Sequence, residues 1–265
     1  MKIKELVSAL ERFAPLPLQD GFDNAGLQIG LTEAEATGAL LCLDVTEAVL
    51  DEAIALGYNL VISHHPLIFK GYKSITGKDY VERCILKAIK NDIVIYSAHT
   101  NLDNAYGGVN YKIAEKIGLK NLQVLEPKEN SLQDDLTQAG AGIVGELDEP
   151  ETELEFLKRI KKTFEVGCVR HNRLTGREIQ KVALCGGAGA FLLPQAIRAG
   201  ADIFITGEIK YHDYFGHEGD ILMAEIGHYE SEQYTKEIFY SIIRDLFPNF
   251  ALQSSKINTN PIKYL

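Results

Sequence analysis

Residues 58–66, YNLVISHHP, place two histidines at the end of an apolar run. The run 58–62 is typical of a buried strand, and Pro66 ends it because proline cannot continue the hydrogen bonding of a sheet. His64 and His65 are therefore predicted at the carboxyl end of a strand, where ligands bind in open α/β sheets. Where the strand breaks, both imidazoles can turn toward one crevice or toward two metal ions. A chance pair of loop histidines is the alternative explanation of this motif alone.

A second apolar run is also followed by potential metal ligands. Residues 93–96, IVIY, are predicted as a strand, and His99 and Asp103 follow at its exit. Neutral imidazole and carboxylate groups are ligands that divalent zinc, iron, manganese and nickel accept. The second cluster therefore strengthens the interpretation of the first.

The third cluster lies in the segment GHYESE, 227–232, which follows the apolar run 221–224. If a helix begins near Gly227, His228 and Glu232 share one face because they are four residues apart. Such a pair suits metal chelation. Three clusters, each at a strand exit, together predict a metal site.

The bulk composition is that of an ordinary globular chain. Its 265 residues suffice for one large or two medium α/β domains. A net charge of −10 and a pI near 5.2 argue against duplex nucleic acid or an anionic membrane surface as the main partner. The segment MKIKELVSALERF is predicted as an amphipathic helix rather than a signal peptide, and no stretch approaches the roughly 20 apolar residues of a membrane span. Four scattered cysteines without a C-x-x-C motif favour a reducing cytoplasm.

The predicted elements alternate as β-α-β-α-β, which implies a parallel sheet with right-handed crossovers. Residues 40–63 then align without gaps with residues 183–206, at a constant offset of 143. The repetition favours two α/β units of like design, facing each other across a cleft. Two unrelated β-α-β units that merely look alike are the alternative.

The sequence therefore predicts an α/β fold of two similar lobes with mainly parallel sheets. The first lobe is expected at 1–126 and the second at 127–248, with the polar segment 127–138 as a linker. The tail, 249–265, is predicted to contain a last strand that can return to the first lobe. Within these lobes, Thr46 is predicted to cap a helix that Gly57 closes. Further helices are expected at 80–90, 152–164 and 231–246, and strands at 40–45, 59–63, 141–147 and 166–170.

Two further features leave alternatives open. The loop 186–189, GGAG, resembles a dinucleotide fingerprint but has Leu192 where the third glycine belongs, which disfavours dinucleotide binding. Its amides could instead hold a phosphate, or the loop could be a tight strand-to-helix turn. His171 lies among polar residues, where a solvated loop histidine is favoured over a substrate contact.

Together the motifs resemble one family, the Nif-three-like dinuclear metal proteins, many of whose members are labelled GTP cyclohydrolase I type 2 homologues. They cover almost the whole chain in the family's order. The chain resembles the short form of the family, which lacks a large inserted domain. The matching motifs are DNAGLQIG (23–30), SHHP (63–66), SAHTNLD (97–103), GGAGA (186–190), ADIFITGEIKYHD (201–213) and GHYESE (227–232).

The resemblance implies two divalent metal ions per chain, with Asp103 and Glu232 as bridging carboxylates. His99 would lie near the metals, either as a group that supports a ligand or as a catalytic group. A toroidal homohexamer whose sites face an internal cavity is also implied. Because the ligands come from both repeats, the metal site is expected in the cleft between the lobes. The implied ligands are His64, His65, Asp103, His228 and Glu232.

The leading functional hypothesis is a metal-dependent hydrolase acting on a small-molecule substrate, either a nucleotide or a phosphoester. Two ions about 3.5 to 4 Å apart could activate a water and bind a phosphate or ring-carbonyl oxygen. His99 could transfer protons near neutral pH. No residue selects guanine, so the cyclohydrolase activity is only a family label. The alternative is a metal-binding regulatory or metal-handling protein without turnover; an oxidoreductase is disfavoured by the missing third glycine.

Overall fold

The structure is a computed structural model that describes residues 1–128 and 139–265. The chain forms two compact units. Unit 1 comprises Met1–Leu102 and Thr235–Pro261, and unit 2 comprises Asp103–Tyr234 and Ile262–Leu265. Most of the linker expected at 127–138 lies outside the described residues.

Unit 1 is built on a five-stranded sheet whose central strands are parallel. Its strands are β1 (Gly26–Ile29), β2 (Ala39–Cys42), β3 (Leu60–Ser63), β4 (Val94–Ser97) and β11 (Leu252–Ser254). Their order is β1-β4-β3-β2-β11, and only β1 runs antiparallel to its neighbour. Every residue of β2, β3 and β4 is buried, as expected of parallel strands covered on both faces. The tail strand β11 pairs with β2 at the edge of this sheet.

The helices of unit 1 begin and end close to their sequence signals. They are α1 (Ile3–Phe13), α2 (Glu47–Leu56), α3 (Tyr80–Lys90) and α9 (Thr235–Leu246). Thr46 accepts a hydrogen bond from the Val49 amide at 3.3 Å, and Gly57 follows α2 with φ of 70°, which confirms both predicted ends. The prediction of a helix at 80–90 is confirmed by α3.

Unit 2 is built on a six-stranded mixed sheet. Its strands are β5 (Lys120–Pro127), β6 (Gly140–Thr152), β7 (Arg170–His171), β8 (Glu178–Cys185), β9 (Ile203–Thr206) and β10 (Leu222–Glu225). Their order is β5-β6-β8-β9-β10-β7, in which β8, β9 and β10 are parallel and the remaining pairs antiparallel. The helices of this unit are α5 (Val109–Ile117), α6 (Glu153–Thr163), α7 (Leu193–Arg198) and α8 (His228–Glu232). A further short helix, α4 (Thr100–Asp103), lies where the chain passes from unit 1 to unit 2.

The units divide the chain at residues other than the sequence-based lobe boundaries of 126/127 and 248/249. Packing decides the division in the structure. Helix α5 and strand β5 pack against β6, so residues after Leu102 belong to unit 2. Helix α9 packs against α1 and β2, so Thr235–Pro261 belongs to unit 1.

Two predicted elements differ from the structure. The helix expected at 231–246 is interrupted between α8 and α9, where the side chains of Gln233 and Tyr234 donate to backbone carbonyls at the end of α6, at 2.9 and 2.6 Å. The strand expected at 166–170 is only the two-residue β7, because pairing with β10 is confined to Arg170 and His171. Within residues 1–128 and 139–265, none of the helices combines the length and apolar character needed to cross a bilayer.

The sequence repeat of 143 residues is also found in the pairing of strands, because corresponding residues are paired in both sheets. In unit 1, Ala39 of β2 lies opposite Leu60 of β3. In unit 2, Val182 of β8 lies opposite Ile203 of β9, and each residue is 143 positions later. All four residue pairs of the two ladders keep this offset, and β4 and β10 each add a third parallel strand on the same side. The same local plan therefore underlies both sheets.

The buried carboxylate of Glu82 links the start of α3 to the preceding loop. Its Oε2 accepts from the amides of Thr76 and Lys78 at 2.8 and 3.1 Å. The hydrogen bond from the Thr76 amide outweighs the effect of burial and lowers the pKa of Glu82 to about 2. Ionised Glu82 therefore stabilises the fold above its ordinary pKa of 4.5, and that contribution is lost as the pH falls toward 2.

Glu82→Gln is accordingly expected to destabilise the protein at pH 7 and to have a progressively smaller effect below pH 4.5. Urea unfolding between pH 7 and pH 3 measures the difference in free energy of unfolding from the unsubstituted protein. Glu47→Gln, which removes an exposed ion pair with Arg83, is the matched control. An effect of Glu82→Gln that is independent of pH would contradict this role of the carboxylate.

Candidate metal-binding site

Parallel strands bring three histidines together in unit 1. His64 and His65 follow β3 directly, and His99 comes two residues after β4, which pairs in register with β3. The ring centroids are 4.9 Å apart for His64 and His65, and 5.2 and 5.4 Å from each of these to His99. One nitrogen from each ring lies within 4.8 Å of the others, so the three rings could hold a metal ion. His99, predicted as a catalytic group rather than a ligand, therefore lies within the histidine cluster.

Each ring of this cluster is held through Nδ1. His64 Nδ1 is 2.9 Å from the carbonyl oxygen of Ala98, His65 Nδ1 is 2.7 Å from Asp44, and His99 Nδ1 is 2.8 Å from Asp23. A carbonyl or an ionised carboxylate only accepts, so Nδ1 donates in all three rings. In the neutral imidazole, Nε2 then carries the lone pair that a metal ligand needs.

The two carboxylates that hold these rings are ionised near neutral pH. Burial raises the pKa of Asp23, but hydrogen bonds from His99 and Thr100 outweigh it and bring the pKa to about 2. Burial likewise opposes ionisation of Asp44, and the hydrogen bond from His65 overcomes it, so the pKa of Asp44 lies below its ordinary value. Both aspartates therefore remain fixed acceptors for the imidazole protons.

Unit 2 carries the histidine and glutamate of the third cluster. His228 opens α8, and its Nε2 lies 3.2 Å from Oε2 of Glu232, which is nearly buried. His228 Nδ1 lies 2.7 Å from Oε1 of Glu208. With Nδ1 as the donor, an imidazole lone pair faces a carboxylate oxygen, and the two repel unless the ring is protonated or a cation lies between them. The donor set therefore fits a divalent cation.

The glycine loop packs against this pair. A Cβ on Gly187, whose φ is 59°, would lie 2.3 Å from Oε1 of Glu232 and 3.3 Å from Nε2 of His228. Gly186 N donates to Asn110 Oδ1 at 2.9 Å, and Gly187 N donates to a serine of α8 at 3.0 Å. These amides are already used by protein side chains, so the loop is a tight strand-to-helix turn rather than a phosphate or dinucleotide site.

Asp103 is connected to the same loop through Asn110. Its backbone carbonyl accepts from Asn110 Nδ2 at 3.0 Å, while the Oδ1 atom of Asn110 accepts from Gly186. Asp103 is the first residue of unit 2 and the last of α4. Within unit 2, the side chain of Asn110 therefore links Asp103 to the glycine loop 186–189, which packs against Glu232.

Sequence reasoning missed the three acids that position the histidines. Asp44 comes two residues after β2, as His65 comes two residues after β3, so the rule of polar groups at strand ends could have found it. Glu208 occupies the position that the 143-residue offset pairs with His65. Asp23 lies 76 residues from its partner His99, and only its place in the motif DNAGLQIG marked it.

A profile of the family described as Duf34/NIF3 (NGG1p interacting factor 3) matches residues 1–261. The chain belongs to the DUF34/NIF3 family. The resemblance inferred from the motifs is therefore confirmed. Among DUF34/NIF3 relatives, a GTP cyclohydrolase 1 type 2 homolog of Clostridium perfringens is 37% identical, with 88% of this chain and 87% of the relative covered. One of Lactococcus lactis is 34% identical, with 98% of each covered.

Solved structures show the same fold. A hypothetical protein of Staphylococcus aureus matches 100% of this chain and 99% of its own with 31% identity and a TM-score of 0.91. A Bacillus cereus protein described as related to NIF3 matches with 26% identity and a TM-score of 0.89, and the match covers 100% of this chain and 99% of that protein. A Staphylococcus aureus sequence relative aligns over 368 positions, 103 more than the 265 residues here, as expected if that relative carries an insertion.

The Asp44 carboxylate is predicted to strengthen metal binding through His65. Asp44→Asn replaces a fixed acceptor by an amide that can donate to Nδ1, which favours the imidazole tautomer without a lone pair on Nε2. Loss of such a partner typically weakens metal affinity by about 10- to 100-fold. Competition for Zn²⁺ with a chromophoric chelator measures the affinity.

Asp51→Asn is the matched control. The substitution makes the same change in charge, but Asp51 forms only an exposed ion pair with Lys87. An equal affinity for the two variants would show that Asp44 does not act through His65.

Proposed function

We propose that this DUF34/NIF3 protein is a metal-dependent hydrolase that uses two divalent ions per chain. The observation that supports the proposal is the way the imidazoles are held. Rings of His64, His65 and His99 in unit 1, and of His228 in unit 2, are each bound through Nδ1. Such hydrogen bonds orient a ring and assign its tautomer for metal coordination.

The proposed metal ligands come from both units, and Asp103 and Glu232 are proposed to bridge the two ions. Imidazoles and carboxylates together suit zinc, iron, manganese or nickel. We propose that this set forms one dinuclear centre. Its ligands are His64, His65, Asp103, His228 and Glu232.

The bound ions would lower the pKa of a coordinated water and polarise a phosphoryl or ring-carbonyl oxygen. The protein's own contribution to proton transfer is assigned to His99. The buried Asp23 carboxylate orients its ring, and Phe69 packs edge-on against it with centroids 5.6 Å apart. A ring fixed on two sides is suited to giving and taking a proton at Nε2.

A nucleotide or other phosphoester is the proposed substrate class. The names of the relatives, GTP cyclohydrolase 1 type 2 homolog, are the reason to place nucleotides first. We also propose a cytoplasmic homo-oligomer, hexameric as the family resemblance implies. All four cysteines are free thiols, as expected in a reducing compartment.

Metal content is the first test of the proposal. Protein purified without chelator is expected to contain about two divalent ions per chain by elemental analysis. Asp103→Ala should lose at least one ion, because a bridging carboxylate serves both. His65→Ala and His228→Ala, from different units, should each lower the content as well.

His217→Ala, a histidine outside the proposed ligand set, should keep the full content. A protein that is isolated without metal, and that also fails to bind added zinc, manganese or iron, would refute the site.

The role of His99 is tested by comparing metal content with turnover. His99→Ala is expected to keep its metals and to lose hydrolysis of bis(p-nitrophenyl) phosphate by about 10²- to 10⁴-fold, the usual contribution of a general acid or base. Asp23→Asn should show a smaller loss in the same direction.

If His99→Ala loses its metals together with its activity, His99 is a ligand and the assignment is wrong. A metal-loaded protein that hydrolyses none of a panel of nucleotides and phosphoesters would instead favour the metal-handling alternative.

A further inference from the structure

A recess of about 450 Å³ lies on unit 2 beside the edge strand β7. Aromatic rings make much of its wall. Tyr211 and Phe215 are 68% and 56% exposed, and their ring centroids are 5.4 Å apart. Pockets for small ligands typically start at about 300 Å³, so the volume suits a ligand of the size of a nucleobase or nucleoside. The lining residues are Val169, Arg170, His171, Asn172, Tyr211, Tyr214 and Phe215.

The recess also presents hydrogen-bonding groups of both kinds. Arg170 Nη1 is held by Glu225 at 2.8 Å, with the guanidinium 5.7 Å from the centroid of Tyr214. His171 Nδ1 donates to the carbonyl of Asn172 at 2.6 Å, so the neutral ring offers an acceptor at Nε2. An arginine donor, an imidazole acceptor and exposed aromatic rings match a planar heterocycle that has both donors and acceptors on its edge.

The backbone that carries these groups is fixed. The side chain of Asn172 donates to the carbonyl of Ile221 at 3.0 Å and accepts from the amide of Met223 at 2.9 Å. These two bonds anchor the chain beyond β7 to the strand β10. The arginine and histidine before it are therefore presented from a rigid sheet edge rather than from a loose loop.

One acid connects the recess to the candidate metal ligands of unit 2. Glu225 Oε2 accepts from the amide of Ile209 at 3.0 Å and from the Tyr214 hydroxyl at 3.4 Å, while its Oε1 holds Arg170. The segment held in this way begins at Glu208, which positions His228. The short segment 208–214 therefore contributes Tyr211 and Tyr214 to the recess and Glu208 to the positioning of His228.

We propose that this recess binds the nucleobase of the substrate, packed against the rings of Tyr211 and Phe215 with its edge toward Arg170 and His171. The designation as a substrate site rests on the proposed hydrolase function. Binding of the base itself does not require metal or turnover.

Isothermal titration of the whole, chelator-treated protein with guanosine tests the proposal separately from catalysis. Guanosine is expected to bind, whereas ribose 5-phosphate, which lacks a base, is not. Tyr211→Ala and Phe215→Ala should each weaken guanosine binding about tenfold, the usual effect of removing a stacking ring. Tyr211→Phe should restore it, because the ring is kept.

Tyr240→Ala is the matched control, since Tyr240 has an arginine 5.1 Å over its ring but lies on α9, outside the recess. Its guanosine affinity should be unchanged. Absence of guanosine binding, or equal affinity for Tyr211→Ala and Tyr240→Ala, would overturn the proposal. A Tyr211→Ala variant that binds guanosine normally but has a smaller oligomeric mass by light scattering would overturn it too, and would make the recess a contact between copies. Guanosine binding by a protein that hydrolyses nothing would leave the recess intact and refute only the hydrolase.

Discussion

Hydrogen bonds to Nδ1 decide what the imidazoles of this protein can do. A neutral ring has one proton, and once Nδ1 donates it, the lone pair resides on Nε2. In unit 1 the three rings and one of the acceptors follow neighbouring parallel strands: Asp44 follows β2, His64 and His65 follow β3, and His99 follows β4. The acceptor of His99, Asp23, comes instead from the loop before β1. Because parallel strands end at one edge, groups distant in sequence meet there. The strand ends of this sheet therefore position the candidate ligand atoms and constrain their protonation.

The two units share one arrangement of parallel strands but carry different side chains at the strand ends. Identical register in the two ladders, with an offset of 143 at every pair, favours duplication over a chance similarity of generic β-α-β units. The position after the second strand is His65 in unit 1 and Glu208 in unit 2, where it holds His228 instead of serving as an imidazole itself. The third parallel strand of each sheet is followed by a short helix that ends in an acid, Asp103 in α4 and Glu232 in α8. The acid at the end of this helix occurs in both halves, whereas the position of His65 in the first half is occupied by Glu208 in the second.

Local signals in the sequence were sufficient for much of the fold, and for the pairing of His228 with Glu232, because capping and four-residue spacing act over one helical turn. Partners fixed by tertiary contacts were not accessible in the same way. The strand predicted at 40–45 included Asp44 as an interior residue. In the structure β2 ends at Cys42, so Asp44 lies beyond the strand, where its carboxylate accepts a hydrogen bond from His65. Likewise β7 was overestimated, since a strand at a sheet edge extends only as far as its single neighbour pairs with it.

The glycines near α8 show why a motif can resemble a dinucleotide fingerprint and have another cause. A Cβ on Gly207 would lie 2.6 Å from the carbonyl oxygen of Gly187 and 2.8 Å from Cα of His228. A Cβ on Gly187 would meet the Glu232 carboxylate. The loops after β8 and β9 can therefore approach the helix that carries both candidate ligands only because neither residue has a side chain. Dinucleotide-binding loops need glycine so that backbone can approach a pyrophosphate, and here the same freedom lets backbone approach an acid and an imidazole of the protein itself. The position of the third glycine is instead occupied by Leu192, whose side chain is fully buried where the chain turns into α7.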